Sequence, residues 1–337
     1  MTNFGNFDYY GQKKAINALS GSDVTLTADK TKGMNYLLGA VYASGSAGEG
    51  DNIKATKVDL TGNDNVILSN AEITNAGGRT DNVISALYAQ DKAIVNVSGT
   101  NNIQTYYSDP NDTSTTERVV WAYQGADINI TGNTNISTSQ YLVSPNNMDI
   151  AIVAGTAKEL TKADFDETVL RDLDIANVDL KYENNNSANS SITGDILSAY
   201  GGVVNIAPNS TNTRAASDAG INITGNLLAG NNGVVDINLG KGGSLIGRAD
   251  DYGDAEVDGT NHGAGIENGG FFNPAFSSEI IKGGTVNLTM GKGSRWDVTG
   301  QSWITSLTTT GNAEDTLISL EKGKRRFEQQ CQCAYYR

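Results

Sequence analysis

Seven polar residues sit at the centre of short aliphatic words. They are Asp59 in Val58-Asp59-Leu60, Asn96 in Val95-Asn96-Val97, Asn129 in Ile128-Asn129-Ile130, Asp179 in Val178-Asp179-Leu180, Asn205 in Val204-Asn205-Ile206, Asp236 in Val235-Asp236-Ile237 and Asn287 in Val286-Asn287-Leu288. A carboxamide donates and accepts hydrogen bonds, and a carboxylate accepts them. Successive side chains of a strand point to opposite faces, so with the aliphatic residues turned inward each of these groups points out. Stacked words would align them in a ladder. Such a ladder is a long hydrogen-bonding groove for an extended polymer or peptide; its plainer reading is a solvated strand face, since most polar strand residues are simply exposed. Lys241, Arg248 and Arg295 are the basic residues able to add local anion contacts.

Other residue types that carry chemistry lack the company they need. His262, the sole histidine, stands in Asn261-His262-Gly263, and general acid-base work needs placed partners. Asp250, Asp251, Asp254, Glu256 and Asp258 can flank a glycosidic bond or hold Ca²⁺, but they lack EF-hand spacing and read as a solvated acidic loop. Gly240-Lys241-Gly242-Gly243-Ser244 lacks the spacing of a phosphate-binding loop and reads as a turn. Trp121, Trp296 and Trp303 can stack on sugars or be buried against the core. The expectation is a chain with no catalytic residues, no metal ligands and no cofactor.

The balance of 38 acidic against 24 basic residues, a net charge of −14, argues against nucleic-acid binding through phosphate neutralisation. No apolar stretch approaches the roughly 20 residues that span a bilayer. Met1-Thr2-Asn3-Phe4-Gly5 lacks the regions of a secretory signal, so a secreted protein would be present here in mature or truncated form. Cys331 and Cys333, both in the tail, cannot cross-link the body. That absence, with sequons such as Asn96-Val97-Ser98, Asn129-Ile130-Thr131 and Asn222-Ile223-Thr224 on predicted strands, points to a bacterial surface protein.

The elements that must position the ladder come from a repeat. Ile192 and Ile223, Val204 and Val235, and Ile206 and Ile237 share an offset of 31 residues (223−192, 235−204, 237−206), so one unit is used twice. Looser copies of its Ile-Thr-Gly word occur at Leu60-Thr61-Gly62, Val97-Ser98-Gly99, Ile130-Thr131-Gly132 and Val298-Thr299-Gly300. Such a unit cannot bury its apolar face alone, and stacking in parallel on its neighbours does so. A coil of ~22 residues would give roughly 15 rungs and a rod about 70 Å long. An antiparallel sandwich is the rival all-β arrangement, but it calls for two-residue Asn-Gly or Asp-Gly hairpins, and here Gly-Asn and Gly-Asp follow the repeated word. Interruptions are expected at about 138–190, with a helix candidate at Thr161–Arg171, and at about 248–281; the register is expected to disappear in a non-native-looking or truncated tail at 313–337.

The run Gly284-Thr285-Val286-Asn287-Leu288-Thr289, followed by Gly293-Ser294-Arg295-Trp296-Asp297-Val298-Thr299-Gly300-Gln301-Ser302-Trp303-Ile304-Thr305-Ser306-Leu307, resembles the pertactin-type repeat of autotransporter passenger domains. The upstream words resemble its preceding rungs, so the resemblance covers roughly 20–312. It implies a right-handed, single-stranded parallel β-helix, an all-β solenoid over 1–312, exported by type V secretion to the Gram-negative outer membrane. It also implies a signal peptide and a translocator barrel outside this sequence. The function expected is that of an adhesin holding a host extracellular-matrix protein or polysaccharide along its polar face. The alternatives are self-association with another passenger copy, giving aggregation and biofilm, and a carbohydrate-active β-helix enzyme.

Overall fold

The computed structural model describes residues 14–29, 33–47, 54–71, 83–106, 116–139, 150–155, 175–184, 189–210, 219–230, 232–251, 283–300, 302–310 and 316–320. Within them the chain is all-β, gathered into a nine-stranded and a sixteen-stranded sheet with one further two-stranded pair. The long sheets are parallel throughout, whereas the small pair, Ser46–Ala47 with Lys54–Ala55, is antiparallel. The sandwich is therefore excluded.

The chain repeatedly visits three positions. A strand of the nine-stranded sheet, such as Leu87–Gln90, leads into one column of the larger sheet and then into a second. Two long strands, Lys57–Ser69 and Ile94–Thr105, run through both columns, and elsewhere a break separates them, as in Asp127–Gly132 and Thr134–Ser137. Period-two alternation of apolar and polar residues is why these segments are strands: Asp127–Gly132 alternates half-buried and buried along its length. The 31-residue offset is the register of the sheet itself. Ile192 lies against Ile223, Val204 against Val235 and Ile206 against Ile237, and all six are at most 1% exposed. Each such side chain removed from water contributes roughly 1.5–3 kcal/mol.

The Ile-Thr-Gly word serves two different corners. Gly62, Gly99 and Gly132 stack where the chain turns between the two columns; a Cβ on Gly132, at φ 114°, would sit 1.9 Å from the Gly99 carbonyl oxygen. Gly194, Gly225 and Gly247 stack where the second column gives way to the nine-stranded sheet, and a Cβ on Gly225 would sit 2.1 Å from the Gly194 oxygen. Only glycine combines that backbone conformation with so close an approach.

The nine-stranded sheet differs in being buried on both faces over most of its strands, Lys14–Leu19 with its exposed Asn17 and Leu19 being the exception. Ile150–Gly155 and Leu227–Gly230 are buried at every position. Tyr42, Tyr88, Trp121, Val153, Leu197 and Leu228 lie in register on the side away from the core, with Tyr88 and Trp121 rings 4.8 Å apart edge to face. Burial, then the neighbouring Tyr42 and Tyr123, push the Tyr88 hydroxyl well above its ordinary pKa.

Two intervals and the circuit length differ from expectation. Ile150–Gly155 and Asn177–Tyr182 fall inside the interval 138–190 yet are strands of the two sheets. The near-continuous apolar run of the first, Ile150-Ala151-Ile152-Val153-Ala154, is what a parallel strand buried on both faces requires, and the second alternates as a half-buried strand does. Leu317–Leu320, placed in the tail by sequence, pairs with Arg295–Val298. The circuits are longer than ~22 residues at several steps, with ladder partners 37 and 33 residues apart, so among the described residues each column of the sixteen-stranded sheet holds nine strands rather than about fifteen. The helix candidate Thr161–Arg171, residues 252–282 with His262, and Cys331 and Cys333 lie outside the described residues.

Candidate outward ladder

The register brings the seven predicted residues into one column. Asp59 faces Asn96, Asn96 faces Asn129, Asn129 faces Asp179, Asp179 faces Asn205, Asn205 faces Asp236, and Asp236 faces Asn287. Each stands between two inward aliphatic residues, so its side chain is on the solvent side; Asp236 is exposed and the other six are half-buried. At the ~4.8 Å spacing of strands the polar line is about 30 Å long. Thr25 and Ser306 extend it at the two ends.

The ladder groups bond to one another. Asn129 Nδ2 donates to Asn96 Oδ1 at 2.9 Å, and Asn96 Nδ2 donates to Asp59 Oδ1 at 2.7 Å. Asn205 Nδ2 donates to Asp179 Oδ1 at 3.0 Å, and Ser306 Oγ donates to Asn287 Oδ1 at 2.6 Å. The first two runs end on a carboxylate that also pairs with a lysine two positions away on its own strand: Lys57 with Asp59 and Lys181 with Asp179, each at 2.9 Å. For Asp59, partial desolvation would raise the pKa, but the hydrogen bonds from Asn96 and Lys57 and the charge of Lys57 together outweigh it and hold the carboxyl below its ordinary value. Because an amide has two N–H donors and its oxygen two lone pairs, a ladder asparagine bonded on both sides keeps a donor and an acceptor for a ligand.

The three basic residues do not join this column. Arg295 and its partner Asp297, at 2.6 Å, belong to the second column. Arg248 leans on the fully buried Asp250 at 3.5 Å, where it offsets a carboxylate removed from water. Lys241 is exposed in the turn before Ser244–Gly247. Of the tryptophans, Trp121 and Trp296 are 2% and 5% exposed, which settles them as packed side chains; the Trp296 indole N–H donates to the Gly247 carbonyl at 3.0 Å. Trp303 is half-buried. In the acidic interval, Asp251 accepts from the Thr305 hydroxyl at 3.0 Å, and Asp254, Glu256 and Asp258 lie outside the described residues.

Two further ladders escaped the sequence reading. On the outer side of the second column, Ser191 Oγ donates to Asn135 Oδ1 at 2.8 Å and Ser244 Oγ to Asn222 Oδ1 at 2.9 Å. Their signal was in the Asn-Ile-Ser and Asn-Ile-Thr words at 135–137 and 222–224. Inside the corner between the columns, Asn35 Nδ2 donates to Asn65 Oδ1 and Asn65 Nδ2 to Asn101 Oδ1, both at 2.8 Å, and Asn101 Nδ2 to Thr134 Oγ1 at 3.0 Å. Each amide also reaches a backbone carbonyl of a neighbouring rung: Thr61, Ser98 and Thr131 respectively. Asn65, Asn101 and Thr134 are at most 1% exposed. Their signal is a small polar residue two or three positions after the corner glycine.

No family model, curated protein or solved structure matches this chain.

Proposed function

We propose that the three-position circuit is a right-handed parallel β-helix, and that the chain is the passenger of a Gram-negative surface adhesin whose outward ladder binds extracellular-matrix proteins or glycans. One observation carries the reading. Residues of one chemical kind, picked out by sequence at irregular intervals, share a single continuous column on the solvent side of the sheet. Solubility alone does not ask for like residues at like positions. A line of repeated donors and acceptors about 30 Å long suits an extended polymer, and many weak contacts sum where no single one suffices.

The test replaces Asn96, Asn129, Asn205 and Asn287 together by alanine and measures binding to a matrix-protein and glycan array. Single exposed hydrogen bonds contribute about 1 kcal/mol, so one substitution changes little and the series weakens binding by orders of magnitude. Unchanged binding by a folded series variant removes this face from the reading.

A second reading, lateral self-association of passengers, is favoured by the start of the neighbouring column. There Tyr36 and Met34 are 45% and 55% exposed, and Val66 and Leu68 occupy the outward rows taken further along by Asn102 and Gln104. Settling of cells that display the chain, without host ligand, separates the two readings.

A further inference from the structure

The core is sealed along its length and half sealed at its two ends. In the interior rungs Val97, Ile130, Leu180, Ile206 and Ile237 are at most 1% exposed. The apolar residues that pack on the core while remaining partly open are Ala15, Val24 and Leu26 at one end and Ile304 and Leu307 at the other. Ile318 and Leu320, which face Trp296 and Val298 across the last pairing, are 38% and 40% exposed.

The terminal strands also have open edges among the described residues. Among the described residues, Asp23–Thr27 and Met34–Leu38 pair only with the long strand Lys57–Ser69. Ser306–Thr309 pairs only with Thr285–Met290, and Leu317–Leu320 only with Arg295–Val298. An edge of this kind presents unpaired N–H and C=O groups to another strand.

The two ends match each other. One inward column begins at Leu26 beside Leu60 and ends with Leu288 beside Leu307. The other begins at Leu37 beside Ile67 and ends with Trp296 beside Ile318. All these strands run in the same direction, so a second copy set on the last rung continues both columns without reversing a strand. We propose that this chain associates head to tail, with Leu307 and Ile318 of one copy meeting Leu26 and Leu37 of a second. The contact is heterologous, and since the ends lie at opposite limits of the stack it extends into filaments rather than closing. It does not depend on the ladder binding anything.

Light scattering after size exclusion, over a concentration series, reads the mass, and negative-stain microscopy reads the shape. The mass rises in whole multiples of 35.5 kDa and the particle lengthens at constant width. Leu26→Lys blocks the first end and Ile318→Lys the last, and each variant alone stays monomeric with an unchanged far-ultraviolet spectrum. Mixed in equal amounts they form a dimer and stop there, because one intact end of each remains. Leu320→Lys repeats the second block independently. A wild-type chain monomeric at every concentration, a folded end variant that still lengthens, or loss of lengthening in the alanine ladder variant overturns the proposal. The last result would assign assembly to the lateral face.

Discussion

Asn96 and Asn101 lie on the same strand, Ile94–Thr105, and meet opposite environments. Asn96 stands on the outer face, half in water, and bonds to Asp59 and Asn129 in the rungs beside it. Asn101 is turned into the corner, fully buried, and bonds to Asn65, to Thr134 and to the Thr131 carbonyl. The bonds are of similar length, but the alternatives differ. Water can replace a lost partner at Asn96 and cannot at Asn101, where a donor or acceptor left alone keeps its full desolvation cost. One kind of side chain thus locks the corner on one side of the backbone and lines a half-solvated face on the other.

Four measurements test this contrast, each compared with wild type by urea unfolding, the first three at neutral pH and the fourth across the acid range. Ile223→Asp sets the upper limit: a charge without a partner in a fully buried site costs several kcal/mol and removes the cooperative transition. Asn101→Ala comes next, at about 2–4 kcal/mol, since Asn65, Thr131 and Thr134 each lose a buried partner. A value below that of any outer-ladder substitution would show that depth does not separate the two ladders.

Asn129→Ala should cost no more than about 1 kcal/mol, and a double-mutant cycle should give a smaller coupling between Asn96 and Asn129 than between Asn65 and Asn101. The smallest effect is on acid stability. Asp59 is held below its ordinary pKa in the folded chain, so its contribution is present above the unfolded value of about 4 and is lost as pH falls through the lowered folded value. Asp59→Asn should flatten that part of the stability profile slightly, the small loss relative to wild type appearing between pH 6 and about 8 and vanishing in acid; a steeper acid loss in the variant would reverse the sign.

The ladder was legible because strand alternation is a local property. Asp179 belongs to it despite lying in an interval that reads as an interruption, since Val178 and Leu180 on either side already dictate which way it points. The buried corner ladder was not legible as such. Asn65 and Asn101 follow glycines by different spacings, and the residues that accept from them are a circuit away in sequence. Nor was the double use of the Ile-Thr-Gly word, because Gly132 and Gly225 meet the same steric demand from different corners.

By itself the sequence determined the strand words, their parallel stacking, the register carried by the 31-residue offset, and the outward direction of Asp59, Asn96, Asn129, Asp179, Asn205, Asp236 and Asn287. Each of these follows from period-two alternation and the need to bury one face. Tertiary structure decided which asparagines are sealed in the corner and which face water. It also decided that Arg248 serves the buried Asp250, that Trp121 and Trp296 pack rather than project, and that Tyr88, Val153, Leu197 and Leu228 on the outer row of the nine-stranded sheet are buried. The reason is physical: alternation specifies a side of the strand, whereas burial depends on what lies across from that side, and the partners there come from rungs 19 to 56 residues away.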